Sequence, residues 1–388
     1  MVGMGAAGWG SLDEQTRDLV RRADLVVGGA RHLDLLPESP GQRHIAWPKN
    51  LREKLPALLS GHENQLIVAL ASGDPLVAGI GSTLIEEFGA DQVRIHPAVS
   101  SVALARARMG WSDDTVEVIR LRGDDVDQVR RWLFPGQRLI ILSRDADSPA
   151  EVAAVLAGAG CGDSALTVLG DLGSATESRQ SDPRMAPALN VVCVEVRCDS
   201  VSVSLAPGLP DDAYEHDGQL TKRDVRASAL ARLGPRPGEL IWDVGAGAGS
   251  IAIEWLRAHP RCRAIAIERD HDRVKRIAAN ARQLGVPRLR VVHGVAPAAL
   301  ADLPRPDAVF VGGGASAAVL DLAWSALPTG GRLVVHAVTV QTEMIITGTW
   351  QRIGGELTRI AVEHLERIGG YHGWKPSRSV VQWSAVKP

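Results

Sequence analysis

Leu240-Ile241-Trp242-Asp243-Val244-Gly245-Ala246-Gly247-Ala248-Gly249-Ser250 is an apolar run that ends in an acid and then in glycines at every second position. The pattern predicts a buried strand, a tight turn and the start of a helix. Glycines let the backbone approach a ligand closely, and a helix amino terminus offers N–H groups without intrahelical partners. A dinucleotide fingerprint, G-x-G-x-x-G, would need glycine where Ser250 stands, so the turn is spaced for a different ligand. Further strands are expected near Ala264, Leu289, Ala308 and Leu333, with an amphipathic helix over His271–Leu284 between the second and third. The strand Ala264-Ile265-Ala266-Ile267 runs into Glu268, a carboxylate that can accept from two vicinal hydroxyls at once.

The acid-x-G-x-G-x-G order resembles the first motif of Rossmann-like S-adenosylmethionine methyltransferases, and Glu268 falls where that superfamily binds the ribose. The stretch His216-Asp217-Gly218-Gln219-Leu220-Thr221-Lys222-Arg223-Asp224-Val225-Arg226, with Gly312-Gly313-Gly314 after the strand ending at Val311, is similar to the corrin C15-methyltransferase/decarboxylase domain. This resemblance runs from about Asp212 to Val340. It implies a cofactor site at Thr221, Asp243, Gly245, Gly247, Gly249, Ser250, Glu268, Gly294 and Ala296. Val295 stands where the family usually has an acid, so adenine recognition is expected to rest on backbone groups. Lys222, Arg223 and Arg226, with Gly312 and Gly313, are the expected substrate contacts, because cations suit a tetrapyrrole that carries many carboxylates. Thr221 is also a candidate helix cap.

The first half alternates short β-branched runs (24–28, 65–70, 93–96, 116–121, 139–142 and 191–196) with helical stretches such as 12–22 and 149–157, an α/β pattern. The polar turn Gly110-Trp111-Ser112-Asp113-Asp114 divides it into lobes of about 1–110 and 115–198. Gly3-Met4-Gly5 is a short glycine turn near the first residue, and two later turns, Ser72-Gly73-Asp74-Pro75 and Pro97-Ala98-Val99-Ser100-Ser101, follow predicted strands. With Val27-Gly28-Gly29-Ala30-Arg31-His32, they resemble the two-lobed tetrapyrrole methylases, most of all the corrin C5-methyltransferase domain, over residue 1 to about 197. The resemblance implies S-adenosylmethionine at Gly5, Gly73, Asp74, Pro75, Ser100 and Ser101, and substrate at Arg31 and His32. Arg120-Leu121-Arg122-Gly123 departs from relatives, which usually have histidine before the glycine. Only Met1 and Val2 precede the first glycine turn, against about five residues in a usual strand, so the assigned start is expected to clip it.

The expected architecture is therefore α/β throughout. A two-lobed tetrapyrrole methylase fold occupies 1–198, a Ser/Pro/Gly-rich linker 199–211, and a Rossmann-like methyltransferase fold 212–388. Together the two resemblances imply a bifunctional enzyme of cobalamin synthesis with two S-adenosylmethionine sites. It would methylate reduced precorrin-6 at C5 and C15 and remove carbon dioxide from the C12 acetate, giving precorrin-8. A cobalt-bearing substrate and a half that only binds the intermediate remain open, and an NAD-dependent oxidoreductase is disfavoured by the G-x-G-x-G spacing. No catalytic acid or metal site is assigned.

The 388 residues carry a net charge of −2, which gives no general attraction to nucleic acid or anionic membranes. No apolar run is long enough to span a bilayer, and no basic region followed by a hydrophobic segment is seen near residue 1, so no signal segment is expected. A cytoplasmic homo-oligomer acting on a small molecule is expected, with Cys161, Cys193, Cys198 and Cys262 all reduced.

Overall fold

Leucine- and valine-rich runs in the first half form two sheets, each with its own core. The computed structural model describes residues 1–62, 64–77, 79–121, 123, 125–198 and 204–388. The first sheet has the order β1-β4-β2-β3, all parallel, from β1 (Val2–Met4), β2 (Leu25–Gly28), β3 (Arg43–Ala46) and β4 (Ile67–Ser72). The second has the order β5-β6-β9-β7-β8, built from β5 (Val116–Arg120), β6 (Arg138–Leu142), β7 (Ala165–Gly170), β8 (Ser178–Gln180) and β9 (Asn190–Glu195). Only its β5–β6 pair is parallel. Gly110 ends the helix Ser101–Met109 in a left-handed conformation just before this second sheet.

Residues 93–96, expected as a strand, form none. His96 makes one bridge to Val2, with Gly3 N–H donating to His96 O at 2.8 Å and His96 N–H to Met1 O at 2.8 Å. The cysteine expectation is also corrected: Cys161 and Cys198 are joined by a disulfide, their Cα atoms 4.4 Å apart, while Cys193 and Cys262 are buried thiols. The ends of β7 and β9 meet there, as the Ser164 hydroxyl beside both Cys161 O and Arg197 shows.

In the second half β10 (Leu240–Val244), β11 (Arg263–Glu268), β12 (Arg290–His293), β13 (Ala308–Val311) and β14 (Arg332–Ala337) make a parallel run in the order β12-β11-β10-β13-β14. The antiparallel strands β18 (Val380–Val386) and β15 (Glu356–Ile360) extend it, and β16 (Glu363–Ile368) and β17 (Tyr371–Pro376) form a separate hairpin. The five parallel strands are legible as apolar runs in the sequence; the four antiparallel ones, three of which carry charged residues, are not. Trp242, Trp255, Phe310 and Trp383 are buried around this sheet. The structure divides into two units, Met1–Val126 with Leu133–Ser200, and Asp127–Trp132 with Val201–Pro388. Asp127–Trp132 therefore goes with the second unit, where the Arg131 guanidinium donates to Arg257 O at 2.6 Å. Residues 199–203 of the expected linker, and Arg122, lie outside the described residues.

Gly208 and Leu209, also from that linker, are held by Glu254, which accepts their N–H groups at 2.6 and 3.1 Å. Glu254 also accepts from Tyr214 Oη at 2.8 Å and Arg226 Nε at 2.5 Å. Arg226 is 0% exposed and donates in addition to Thr221 O at 2.5 Å and Asp211 Oδ1 at 3.2 Å. This network anchors the segment before β10 on the helix Ser250–Ala258. Removing one partner of such a buried pair strands the other charge. Glu254→Ala is therefore expected to destabilise the second unit by about 3–5 kcal/mol, read from urea unfolding followed at its buried tryptophans.

Asp243 is the penultimate residue of β10 and is 1% exposed; its Oδ2 accepts from Ala252 N–H at 3.0 Å, inside the following helix. Burial, with Glu268 nearby, pushes its carboxyl up to about 7. A raised carboxyl favours the folded state below the ordinary carboxylate range, and that stability is lost as pH rises through about 7. Asp243→Asn keeps an acceptor and cannot ionise. The ligand-free variant should gain on wild type by up to ~4 kcal/mol in urea unfolding between pH ~4 and ~8, with no such gain if the carboxyl is charged throughout.

Candidate functional site

A cavity of about 1220 Å³ opens at the carboxyl ends of the parallel strands in the second unit, the usual place for ligands in open α/β sheets. Val244–Gly247 from the β10 turn, Ile267–Arg269 after β11, Gly294–Ala296 after β12 and Gly312–Gly314 after β13 line one side. His336, Val338, Val362, His364 and Arg378 line it further along the sheet. Gly245, at φ +70°, lies so close to the loop after β13 that a Cβ would come within 2.6 Å of Gly313 O. The expected Gly245, Gly247, Glu268, Gly294, Ala296, Gly312, Gly313 and Thr221 all border this cavity.

Glu268 is 4% exposed; Oε2 accepts from Gly247 N–H at 2.8 Å and Oε1 from Asp270 N–H at 3.0 Å. Each oxygen keeps a lone pair for a ligand hydroxyl. Val295, which replaces the family's acid, is 62% exposed at the rim. Asp243, Gly249 and Ser250 do not border the cavity. Asp243 and Ser250 are buried beneath the turn, and Gly249 is the N-cap of the helix Ser250–Ala258. These three hold the turn in shape.

Two expectations for the segment before β10 are corrected. Arg226 is not a substrate contact, because its guanidinium is fully enclosed by Glu254, Asp211 and backbone carbonyls. Thr221 does not cap the helix Arg223–Leu233, whose N-cap position is Lys222, with no side-chain bond. Lys222 and Arg223 do border the cavity and are exposed. Lys222 Nζ lies 3.5 Å from Asp211, and Arg223 Nε donates to Gly208 O at 2.7 Å. His336, Arg378 and Glu254 were missed. His336 lies at the carboxyl end of a predicted parallel strand, and that position was its available signal.

The first unit has a cavity of about 370 Å³ where its three glycine- and serine-bearing turns converge. Gly73 N–H donates to Met4 O at 2.9 Å, Gly73 O accepts from Ala98 N–H at 3.3 Å, and a Cβ on Gly3 would collide with Gly73 O. Gly5, Gly73, Asp74, Ser100 and Ser101 border this cavity, and Pro75 does not. Asp74 Oδ1 accepts from Leu76 N–H at 2.8 Å, and Ser100 Oγ caps the following helix by accepting from Ala103 N–H at 3.1 Å.

Arg31 and His32 stand together on the cavity wall. Arg31 Nη2 is 3.2 Å from both Ser72 Oγ and His32 Nε2, and Ser72 Oγ is 3.0 Å from the same nitrogen. Burial, then the Arg31 charge, lowers His32 to about 4, so the ring is neutral near pH 7. Arginine can only donate, which makes His32 Nε2 the acceptor.

Comparison with known proteins matches the two halves of the chain to two families. Residues 1–180 match the family of tetrapyrrole (corrin/porphyrin) methylases, and residues 212–387 match the precorrin methyltransferase domain. A precorrin-6Y C(5,15)-methyltransferase (decarboxylating) of Sinorhizobium sp is 42% identical over 397 residues, covering 100% of this chain and 96% of that protein. One from Mycobacterium tuberculosis is 42% identical over 400 residues, covering 100% and 99%. The crystal structure of the C-terminal domain of precorrin-6Y C5,15-methyltransferase from Rhodobacter capsulatus is 48% identical, covering 47% of this chain and 100% of that one, with a TM-score of 0.46. With a match of that strength over its whole length, the chain belongs to the precorrin-6Y C(5,15)-methyltransferase (decarboxylating) family.

Proposed function

We propose that this chain methylates precorrin-6Y, the reduced precorrin-6, at C5 and C15 and removes carbon dioxide from its C12 acetate, giving precorrin-8. The observation that carries the reading is that one chain holds two separate glycine-walled cavities, each lined for the most part by residues of the segment matched by its own methyltransferase family. C5 methylation is assigned to residues 1–198 and C15 methylation with decarboxylation to residues 212–388. Both sites are read as taking S-adenosylmethionine, the methyl donor of this family.

The residues fit that molecule. In the second unit the backbone at Gly245 leaves the cavity wall without a side chain, and the buried Glu268 offers lone pairs for a ribose diol. In the first unit Gly73 and Ser100 present backbone and hydroxyl groups at the cavity. When bound, S-adenosylmethionine supplies a methyl group already activated by its sulfonium. The chain's part is alignment and exclusion of water, which by itself removes a large share of a transfer barrier. Lys222, Arg223 and Arg378 can hold the macrocycle's carboxylates at the rim of the larger cavity.

A cytoplasmic homo-oligomer without nucleic-acid partners completes the reading. Leu365, Ile368, Tyr371 and Trp374 are 57–82% exposed on the β16–β17 hairpin, an apolar surface suited to a second copy. Among the described residues no helix is long and apolar enough to cross a membrane.

Mass spectrometry of product from precorrin-6Y and S-adenosylmethionine tests the assignment. Wild type should add two methyl groups and lose one carbon dioxide. Glu268→Ala should weaken one calorimetric S-adenosylmethionine site by about tenfold or more and stall the product at a single methyl gain with the carboxylate retained. Asp74→Ala opens the turn at the other cavity and should suppress the complementary methylation, leaving carbon dioxide loss intact. No methyl gain with wild type would sink the reading, and a cobalt-bearing substrate assayed beside it identifies that alternative.

A further inference from the structure

His336 is the penultimate residue of β14, paired in register with Gln382 on β18. The ring is 7% exposed, stands edge-on to Phe310 at 4.9 Å and forms part of the wall of the larger cavity. Its protonation is set from behind by Arg232. Arg232 is fixed in the helix Arg223–Leu233, with Nη1 donating to Ser228 Oγ at 2.9 Å and Nη2 to Glu356 Oε1 at 3.1 Å. A guanidinium has no lone pair to offer, so the Gln382 amide must turn its oxygen toward it. In that orientation the oxygen accepts from Arg232 Nε at 3.0 Å, Arg232 Nη1 at 3.2 Å and Ser228 Oγ at 3.2 Å, and the amide nitrogen donates to His336 Nε2 at 2.9 Å. The reverse orientation faces donors with donors.

With Nε2 occupied as an acceptor, the neutral ring carries its proton on Nδ1. Burial keeps the ring neutral, lowering it to about 4. No hydrogen bond to Nδ1 is found among the described residues, and His336 is among the residues that line the cavity. A neutral imidazole is a weak proton donor and a good hydrogen-bond donor. It differs in kind from the cations Lys222, Arg223 and Arg378, because it can orient an anionic oxygen without neutralising it.

We propose that His336, held in its Nδ1–H form by the Arg232–Gln382 pair, donates a hydrogen bond to a carboxylate oxygen of the tetrapyrrole substrate and so positions it in the second unit's cavity. The inference rests on the functional reading above. Side-chain amides separate its parts, since the Asn amide nitrogen can occupy the place of Nδ1 whereas Phe offers no donor.

The test uses the full chain with precorrin-6Y. His336→Phe should lower kcat/KM for the carbon dioxide-losing step by about ten- to a hundredfold with S-adenosylmethionine affinity unchanged, and His336→Asn should recover most of that loss. Nitrogen-15 NMR of the substrate-free wild type should show a protonated Nδ1 and a bare Nε2 on this ring, assigned by its absence in His336→Asn. Wild-type turnover in His336→Phe, or an Nε2–H ring in the NMR spectrum, overturns the proposal. If His336→Phe fails to fold, the wild-type spectrum and the Asn variant still decide. A wild type that adds no methyl group refutes the functional reading, while the spectrum continues to test the tautomer separately.

Discussion

Both cavities depend on one steric constraint, a backbone that runs against another backbone with no room for a Cβ. In the first unit Gly3 meets Gly73 O, and in the second Gly245 meets Gly313 O and N. Any side chain at these positions would push a strand-end turn away from its neighbour and open the wall of the site. Glycine thus does two jobs at each crossing, allowing the close approach and leaving main-chain groups at the cavity wall.

In the second unit that turn is held from below. Asp243 is bonded to the helix that follows, and Glu268 is bonded to the Gly247 amide, so the two acids that bracket the turn have different tasks. One lies beneath the backbone and shapes it; the other borders the cavity. Glu254 and Arg226 provide the remaining support by fixing the segment that brings Gln219–Arg223 to the rim. A charge pair buried this deeply adds little net stability over an apolar substitute, but losing either member is costly, which favours one arrangement of the lead-in segment.

The two sites share a further property. Each has a buried, neutral histidine on its wall, His32 beside Arg31 and Ser72, and His336 beside Gln382. In each case an arginine that can only donate sets the order of the hydrogen bonds, at one remove for His336. The cations expected to meet substrate carboxylates are fewer than the motif suggested, because Arg226 is spent on structure.

The motif Asp243–Ser250, Glu268 at a strand end and the turns at Gly3, Gly73 and Ser100 determined the α/β class, the five parallel strands of the second unit and the position of both cavities. Strand periodicity and glycine spacing are local properties, and they survive in the linear sequence. Tertiary structure alone decided that Arg226 faces Glu254 and not a ligand, that residues 93–96 make a single bridge instead of a strand, that Cys161 meets Cys198, and that His336 lines a cavity with Gln382 behind it. Each of those outcomes depends on partners 28 to 94 positions apart in the chain, whose meeting is set by sheet order and packing and has no signature in the local pattern.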